Sequence, residues 1–268
     1  MSNKEKLIKY GAIFLACILI FEIISIIGSV INGVVSFFIS NNTLGEYNNT
    51  YKYVENIDID VASSSIEIIE GDKYSVDISN NPDKYRVRYK NNTLKIDKDN
   101  FSFKDDSVIV ITVPRNSVLE ELEIESNGKV ILEDVNVNEA SIDMGAGTLK
   151  AYNSKFNSID IDGGAGEIKL DDCFLNNLEL DSGVGKIDIN SSITGNSKIS
   201  AGVGEIDITL LGNKEDYSLV LEKGIGTIKV NDETVNDKEV IGSGLNKLKI
   251  EGGIGSINVY FKENTYMY

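Results

Sequence analysis

The stretch IDGGAGEIKL (residues 161–170) decides the fold, because it returns as LDSGVGKIDI (180–189) and ISAGVGEIDI (199–208) and is preceded by IDMGAGTLKA (142–151). Each copy carries a Gly-x-Gly at its centre: Gly145/Gly147, Gly164/Gly166, Gly183/Gly185 and Gly202/Gly204. These begin 19 residues apart. Two more follow after gaps of 22 and 29, at Gly224/Gly226 and Gly253/Gly255. A fixed period of this length is the signature of a repeat architecture.

Counting from the first glycine, positions 5 and 7 are apolar throughout: Leu149/Ala151, Ile168/Leu170, Ile187/Ile189, Ile206/Ile208, Ile228/Val230 and Ile257/Val259. Polar residues stand between them, the period-2 alternation of a half-buried strand. A second alternating pair closes most units: Ile159/Ile161, Leu178/Leu180, Leu219/Leu221 and Leu248/Ile250, with Ser197/Ile199 as the polar exception. Each unit therefore holds two short strands joined at a Gly-x-Gly corner, where glycine permits a sharp bend. The middle residue is Ala, Val or Ile, and we expect it to point into the core. Neither strand buries its apolar side alone, so units must stack. The expected fold is all-β: a single-domain parallel β-solenoid of ~19-residue coils, about ten of them, making a rod roughly 50 Å long.

Upstream the period blurs. Ile57/Ile59/Val61, Ile66/Ile68, Val76/Ile78 and Leu94/Ile96 alternate, and Val108–Val113 is a β-branched run ending at Pro114. Residues 57–125 read as diverged first coils, so the solenoid is expected to cover 57–268. The wider gaps place bulging loops at 211–217 and 231–246.

Ahead of the repeats, residues 11–40 (GAIFLACILIFEIISIIGSVINGVVSFFIS) contain one charge, Glu22. That is long enough to cross a bilayer. Lys4, Lys6 and Lys9 precede it, so the positive-inside rule predicts a cytoplasmic 1–10, a signal-anchor helix over 11–40 and an extracytoplasmic remainder. Within the helix Glu22, Ser25, Ser29 and Gly33 share one face, a pattern suited to packing against a partner helix. Residues 41–56 (NNTLGEYNNTYKYVEN) lack apolar periodicity and read as a polar tether. The final Tyr266-Met267-Tyr268 would cap the last coil.

The chain has 268 residues, a formal charge of −16, no His and no Trp. Acidity argues against nucleic acid as a partner. The absence of His removes the commonest general base and metal ligand. Cys17 and Cys173 lie in different parts of the chain and suggest no disulfide. No cofactor is expected and no catalytic residue stands out. The one weak metal candidate is the column Asp143, Asp162 and Asp181, stacked on successive coils at ~4.8 Å. Such repulsion is the kind a hard cation relieves, while a plain solvated acidic face explains it equally. The neighbouring column Glu167, Lys186 and Glu205 alternates in sign and needs no metal.

The assembled pattern resembles a bacterial family of β-strand-repeat proteins of unknown function, often labelled adhesins. The resemblance rests on IDIDVASSSIEII (57–69), IVITVPRNSVLEELEIES (109–126), the Gly-x-Gly-x-Ile-x-Ile units and the apolar segment in front. It implies a β-helix-like domain at the cell envelope and supplies no catalytic residues. The expected function is a non-enzymatic, membrane-anchored solenoid that presents a binding surface to a protein or glycan. Two other readings stand beside it: an accessory protein of envelope-stress signalling acting through its membrane helix, and a glycan-active β-helix enzyme.

Overall fold

The computed structural model describes residues 46–98 and 106–262. Nine short strands come first: β1 (Glu46–Tyr51), β2 (Asn56–Val61), β3 (Ser65–Gly71), β4 (Tyr74–Ser79), β5 (Tyr85–Lys90), β6 (Thr93–Lys98), β7 (Val108–Pro114), β8 (Leu119–Ser126) and β9 (Lys129–Glu133). Then come four long ones, β10 (Asn136–Tyr152), β11 (Lys155–Asn176), β12 (Leu178–Thr194) and β13 (Asn196–Leu211). The last are β14 (Tyr217–Val230), the two-residue β15 (Glu233–Thr234) and β16 (Val240–Ile241), and β17 (Asn246–Lys262). All belong to one sheet that winds around a single core.

The long strands pair in parallel and in register. Ile161 lies beside Leu180, Leu180 beside Ile199, and Ile199 beside Ile250. Every position-5 and position-7 residue is buried, as are the closing pairs. Ser197, the polar exception, is also inside. Its hydroxyl accepts the Leu178 amide (3.0 Å) and donates to the Thr194 carbonyl (3.2 Å), so it completes the hydrogen-bonding where the backbone ladder has a gap.

The glycine motifs differ from the sequence expectation in one respect. They were expected to separate two strands at a corner, whereas each lies inside one continuous strand. Gly145 and Gly147 fall within β10, Gly164 and Gly166 within β11, Gly183 and Gly185 within β12, and Gly202 and Gly204 within β13. Gly224 and Gly226 fall within β14, and Gly253 and Gly255 within β17. Pairing continues through the bend, with Gly147 beside Gly166, Gly166 beside Gly185, Gly185 beside Gly204 and Gly204 beside Gly255. The physical reason is that glycine lets the backbone turn while the ladder stays in register.

Two constraints demand glycine there. Gly166 has φ +150°, and a methyl group on it would sit 1.8 Å from the Gly147 carbonyl oxygen. Gly204 repeats this two layers on, with φ +148° and 1.8 Å to the Gly185 carbonyl oxygen. A methyl group on Gly164 would likewise lie 2.1 Å from the Gly145 carbonyl oxygen. The other corner uses a different device: Asp134, Asn153 and Asp172, again 19 apart, all have φ near +50°, a conformation these side chains tolerate.

The residue between the glycines points out, contrary to the sequence expectation. Ala146 is exposed, and Ile225 and Ile254 are 59% and 42% exposed. The bend breaks the in–out alternation, so the middle side chain takes the outer side of the turn.

Among the described residues the rod has nine stacked layers rather than ten, and its ends are wound out of sequence order. From one end the layers are β6/β7, β2/β3, β8/β9, β10, β11, β12, β13, β17 and β14. The chain's last strand is thus inserted between β13 and β14. At ~4.8 Å per layer the stack is about 40 Å long. Pairing is not uniformly parallel: β1–β4, β4–β7, β5–β6, β14–β15 and β14–β16 are antiparallel and all lie at the two ends.

These antiparallel strands are caps. At the far end the loop expected as a bulge at 231–246 folds over β14. Lys238 donates its amide to the Leu221 carbonyl (2.9 Å), Val235 donates to Ile228 (3.2 Å), and Asp237 accepts the Lys223 amide (2.8 Å). Part of the predicted tether is likewise structured: Glu46–Tyr51 forms β1, pairing with β4 from Glu46↔Ser79 to Tyr51↔Tyr74. Tyr47 and Tyr51 pack against the core, and this partial burial outweighs the polar Asn and Thr between them. The apolar stretch 11–40, with Glu22, Ser25, Ser29 and Gly33, and the final Tyr266–Tyr268 lie outside the described residues. Among the described residues no helix is long and apolar enough to cross a membrane.

Candidate binding face

The bend at Gly-x-Gly divides each layer into two flat faces. One is built from β3, β7, β9 and the second halves of the long strands; the other from β2, β6, β8 and the first halves. Their outward columns carry charges of quite different organisation.

On the second-half face, lysines and carboxylates interleave. Lys150 pairs with Glu167 (3.7 Å), Lys169 with Asp171 (3.5 Å), and Lys186 with Glu205 (3.5 Å) and Asp207 (2.9 Å). The Asp207 hydrogen bond pushes the Lys186 pKa up. The Glu167–Lys186–Glu205 ladder expected from sequence is in register, with Lys186 bonded to the next layer and Lys150 supplying Glu167.

On the first-half face, layers β8 to β12 are acidic. Glu125, Asp143, Asp162 and Asp181 form one in-register column. Asp160 and Glu179 are neighbours in the adjacent column, which Glu123 also joins, and Glu121 stands beside Glu139 in a third. None of these nine carboxylates forms an ion pair with a described residue. Desolvation, then the charges of Asp162, Glu179 and Asp181, push the Asp160 carboxyl up from its usual range. Beyond β12 the pairing resumes. Lys198 and Lys249 hold Glu251 (3.3 and 2.6 Å), and Lys249 reaches Glu222 (3.1 Å). The Lys249 hydrogen bond holds Glu251 below the usual carboxylate range.

Alongside the acidic column runs a shallow, open groove floored by Gly145, Gly164, Gly183 and Gly202. Its depth follows from the missing side chains. The residues that follow these glycines, and Ile254 and Ile225 at the equivalent position, form the row Ala146, Ala165, Val184, Val203, Ile254 and Ile225, aligned layer upon layer. Sequence reasoning misses this apolar row because it assigns these residues to the core. The Asp143–Asp162–Asp181 column is real, yet among the described residues no group of three or more acidic, Cys or His side chains is arranged to hold a metal ion.

Interior polar groups are structural. Ser191 is buried; its hydroxyl accepts the Cys173 amide (3.0 Å) and donates to the Leu170 carbonyl (3.0 Å). Ser154 does the same for Val135 (3.2 Å) and Tyr152 (2.7 Å). Sequence reasoning misses these serine bridges too; a serine inside an otherwise apolar, β-forming stretch is the available signal. Cys173 is buried, and burial pushes its thiol up to about 11, far from a reactive thiolate.

A family model described as Toastrack DUF4097 matches residues 54–260. Among solved structures, the chain is similar to an adhesin candidate from Bacteroides fragilis, with 18% identity over 82% of this chain and 98% of that one, TM-score 0.46. A cell-adhesion candidate from Clostridium sporogenes shares 17% identity over 81% and 99%, TM-score 0.37. An adhesin candidate from Parabacteroides distasonis shares 12% over 83% and 98%, TM-score 0.41. No curated protein matches the chain significantly.

Proposed function

We propose that this chain, which belongs to the Toastrack DUF4097 family, is a non-enzymatic display rod, held at the outside of a cell membrane by residues 11–40, whose acidic face binds an extended cationic partner. The carrying observation is the contrast between the faces. The second-half face spreads its lysines so that carboxylates are neutralised. The first-half face stacks like charges over β8 to β12, and none of them forms an ion pair with a described residue. Like charges directly opposite one another in a sheet are destabilising, so folding gains nothing from them, and a partner that neutralises them would gain much.

The groove suits an elongated ligand better than a small one. It is open and shallow, it crosses successive layers, and from β10 to β12 it offers one carboxylate per layer, Asp143, Asp162 and Asp181. A cationic polymer or a basic segment of another protein, laid along the rod axis, would meet a carboxylate at each step from Glu125 of β8 to Asp181 of β12. Catalysis is a poorer fit, since bond-breaking sites enclose their reacting groups and shift their pKa values, whereas this face is open.

The test is binding of the full chain to a soluble polylysine, a neutral polymer and a polyanion across a salt series. The expected result is salt-sensitive binding to the polycation only, lost in Asp143→Asn/Asp162→Asn/Asp181→Asn. Polycation binding of equal strength in wild type and triple variant would overturn the assignment of the face.

A further inference from the structure

Asparagine and aspartate are chemically labile when glycine follows them. The glycine nitrogen has no neighbouring side chain to shield it, and the freedom of a glycine backbone lets that nitrogen reach the preceding side-chain carbonyl. The chain has three such pairs: Asn32-Gly33, Asn127-Gly128 and Asp162-Gly163. The first lies outside the described residues. The other two stand in opposite situations. Asp162-Gly163 is inside β11, paired with Asp143 and Met144 on one side and with Asp181 and Ser182 on the other. The ladder on both sides holds it extended. Asn127-Gly128 falls in the gap between β8 and β9, where the strand is interrupted.

That corner is a short one. Two residues separate Ser126 from Lys129, whereas three, Gly145-Ala146-Gly147, separate their ladder partners Met144 and Thr148. Packing explains both residues of the pair. A methyl group on Gly128 would lie 2.1 Å from the Ser64 carbonyl oxygen. Asn127 Oδ1 stands over Gly145, where a methyl group would meet it at 2.0 Å; one layer on, the Gly145 carbonyl oxygen stands over Gly164 in the same way, at 2.1 Å. The Asn127 carboxamide thus takes the place of the peptide that the short corner lacks. Asn127 is exposed. Its amide donates to the Ala62 carbonyl (3.1 Å), and the Gly128 carbonyl accepts from the Thr148 amide (3.1 Å). The nitrogen between these two anchors is outside the ladder, because the Gly128 N–H donates to Ser126 Oγ (3.2 Å).

We propose that Asn127 is a site of spontaneous deamidation in the folded protein. The Gly128 nitrogen, having lost its proton to hydroxide, attacks Asn127 Cγ. A C–N bond forms, a five-membered imide closes, and the side-chain nitrogen leaves as ammonia with a proton taken from water. A second water then opens the ring at either carbonyl and leaves aspartate or isoaspartate. In sum, an amide and water become a carboxylic acid and ammonia. Closing the ring breaks no backbone bond between layers, since the attacking nitrogen makes none. The corner therefore need not unfold for the reaction to start. The product places a new negative charge two residues beyond Glu125, next to the acidic column. Isoaspartate also lengthens the main chain by one carbon between the Ala62 and Thr148 anchors.

The experiment ages the full chain in mildly alkaline buffer, with and without urea, and follows each asparagine by peptide mass mapping, which reads the replacement of NH2 by OH. Isoaspartate-specific labelling reads residues 127 and 162. In the native protein Asn127 should convert faster than every other asparagine of residues 46–98 and 106–262 by at least about tenfold, a barrier lower by about 1.36 kcal/mol. Isoaspartate at residue 162 should appear only in urea. Asn127→Gln should remove the fast phase, because the longer side chain would have to close a six-membered ring. Native Asn127 that converts no faster than the others, or only in urea, overturns the proposal. So does a fast phase that persists in Asn127→Gln, or isoaspartate that forms at residue 162 of the native protein as fast as at residue 127.

Discussion

Gly166→Ala should be among the most damaging single-methyl changes this chain can suffer. The added carbon would lie 1.8 Å from the Gly147 carbonyl oxygen, whereas ordinary contact begins at 3.4 Å. The two layers would have to part locally by roughly 1.6 Å, enough to break the ladder on either side of the bend, where each hydrogen bond contributes about 1 kcal/mol. Alanine at φ +150° adds a backbone strain of about 1–3 kcal/mol. Together the loss is about 3–5 kcal/mol, which in a domain of this size lowers Tm by about 10 °C. Circular dichroism on thermal and urea unfolding measures it. Two companions fix the cause. Gly163→Ala meets only the flexible Cδ1 of Ile168, at 2.9 Å, and should cost under about 1 kcal/mol because that side chain can yield. Gly226→Ala would clash at 1.6 Å with the Gly255 carbonyl, yet β14 is the outermost layer, covered on its outer side only by the short β15 and β16 and their loop, and can lift more easily. It should cost less than half of the Gly166 loss. A Gly166→Ala protein within 1 kcal/mol of wild type, taking ~1 kcal/mol as the resolution of such comparisons, refutes the carbonyl-clearance argument. So does a terminal variant that costs as much as the central one.

Ser191→Ala should strand the Cys173 amide and the Leu170 carbonyl, with a loss of about 1–3 kcal/mol by urea unfolding; an unchanged midpoint would mean that the bridge is idle. Asp160→Asn should stabilise. The Asp160 pKa is raised in the folded state, so its stability contribution is full below its unfolded value and is lost as pH rises through the folded one. At neutral pH the gain should be a few tenths of a kcal/mol at low salt, disappearing at high salt, since the site is largely exposed. Cys173, in a Cys17→Ser background, should resist a thiol-specific reagent at pH 8 until the protein unfolds, because burial holds its thiol at about 11; rapid labelling of the native protein would show that the site opens locally.

The coils were legible because their physics is local. Ile168 and Leu170 alternate with charged residues, and a glycine every 19 residues marks a recurring tight approach. The identity of neighbours at the rod ends was not legible. Gly224-Ile225-Gly226 and Gly253-Ile254-Gly255 carry the same signature, and each fits any layer. Which one lies against Gly202-Val203-Gly204 of β13 is decided by the loops between them, and it is the later one, with Gly255 beside Gly204. Hydrophobicity also misled at the bend. Ile225 and Ile254 are apolar enough for a core, but the positive-φ glycine after each shifts the alternation and turns them outward. Of the candidate site, the Asp143–Asp162–Asp181 column could be read from spacing alone. Its lack of counter-charges could not, since this depends on lysines elsewhere in sequence, such as Lys198 and Lys249, falling on later layers.

The out-of-order winding answers a problem that every open solenoid has. Sequential winding would leave the final strand as a bare edge, a template for adding another chain. Here β14 is laid down one layer too far, and the chain then returns through β15 and β16 to slot β17 between β13 and β14. The last strand gains a partner on both sides. The edge passes to β14, whose outward backbone groups are taken by Asp237, Val235 and Lys238, and whose Gly226 carbonyl accepts from Lys223 Nζ at 2.9 Å. The opposite end repeats the logic: β2/β3 becomes the second layer, β6/β7 is laid outside it, and β1, β4 and β5 close over that. The longer loops this requires cost little, because closure entropy grows only with the logarithm of length. The widened gaps of 22 and 29 residues are therefore the means by which the rod ends, and they leave its two long faces uncovered by the caps.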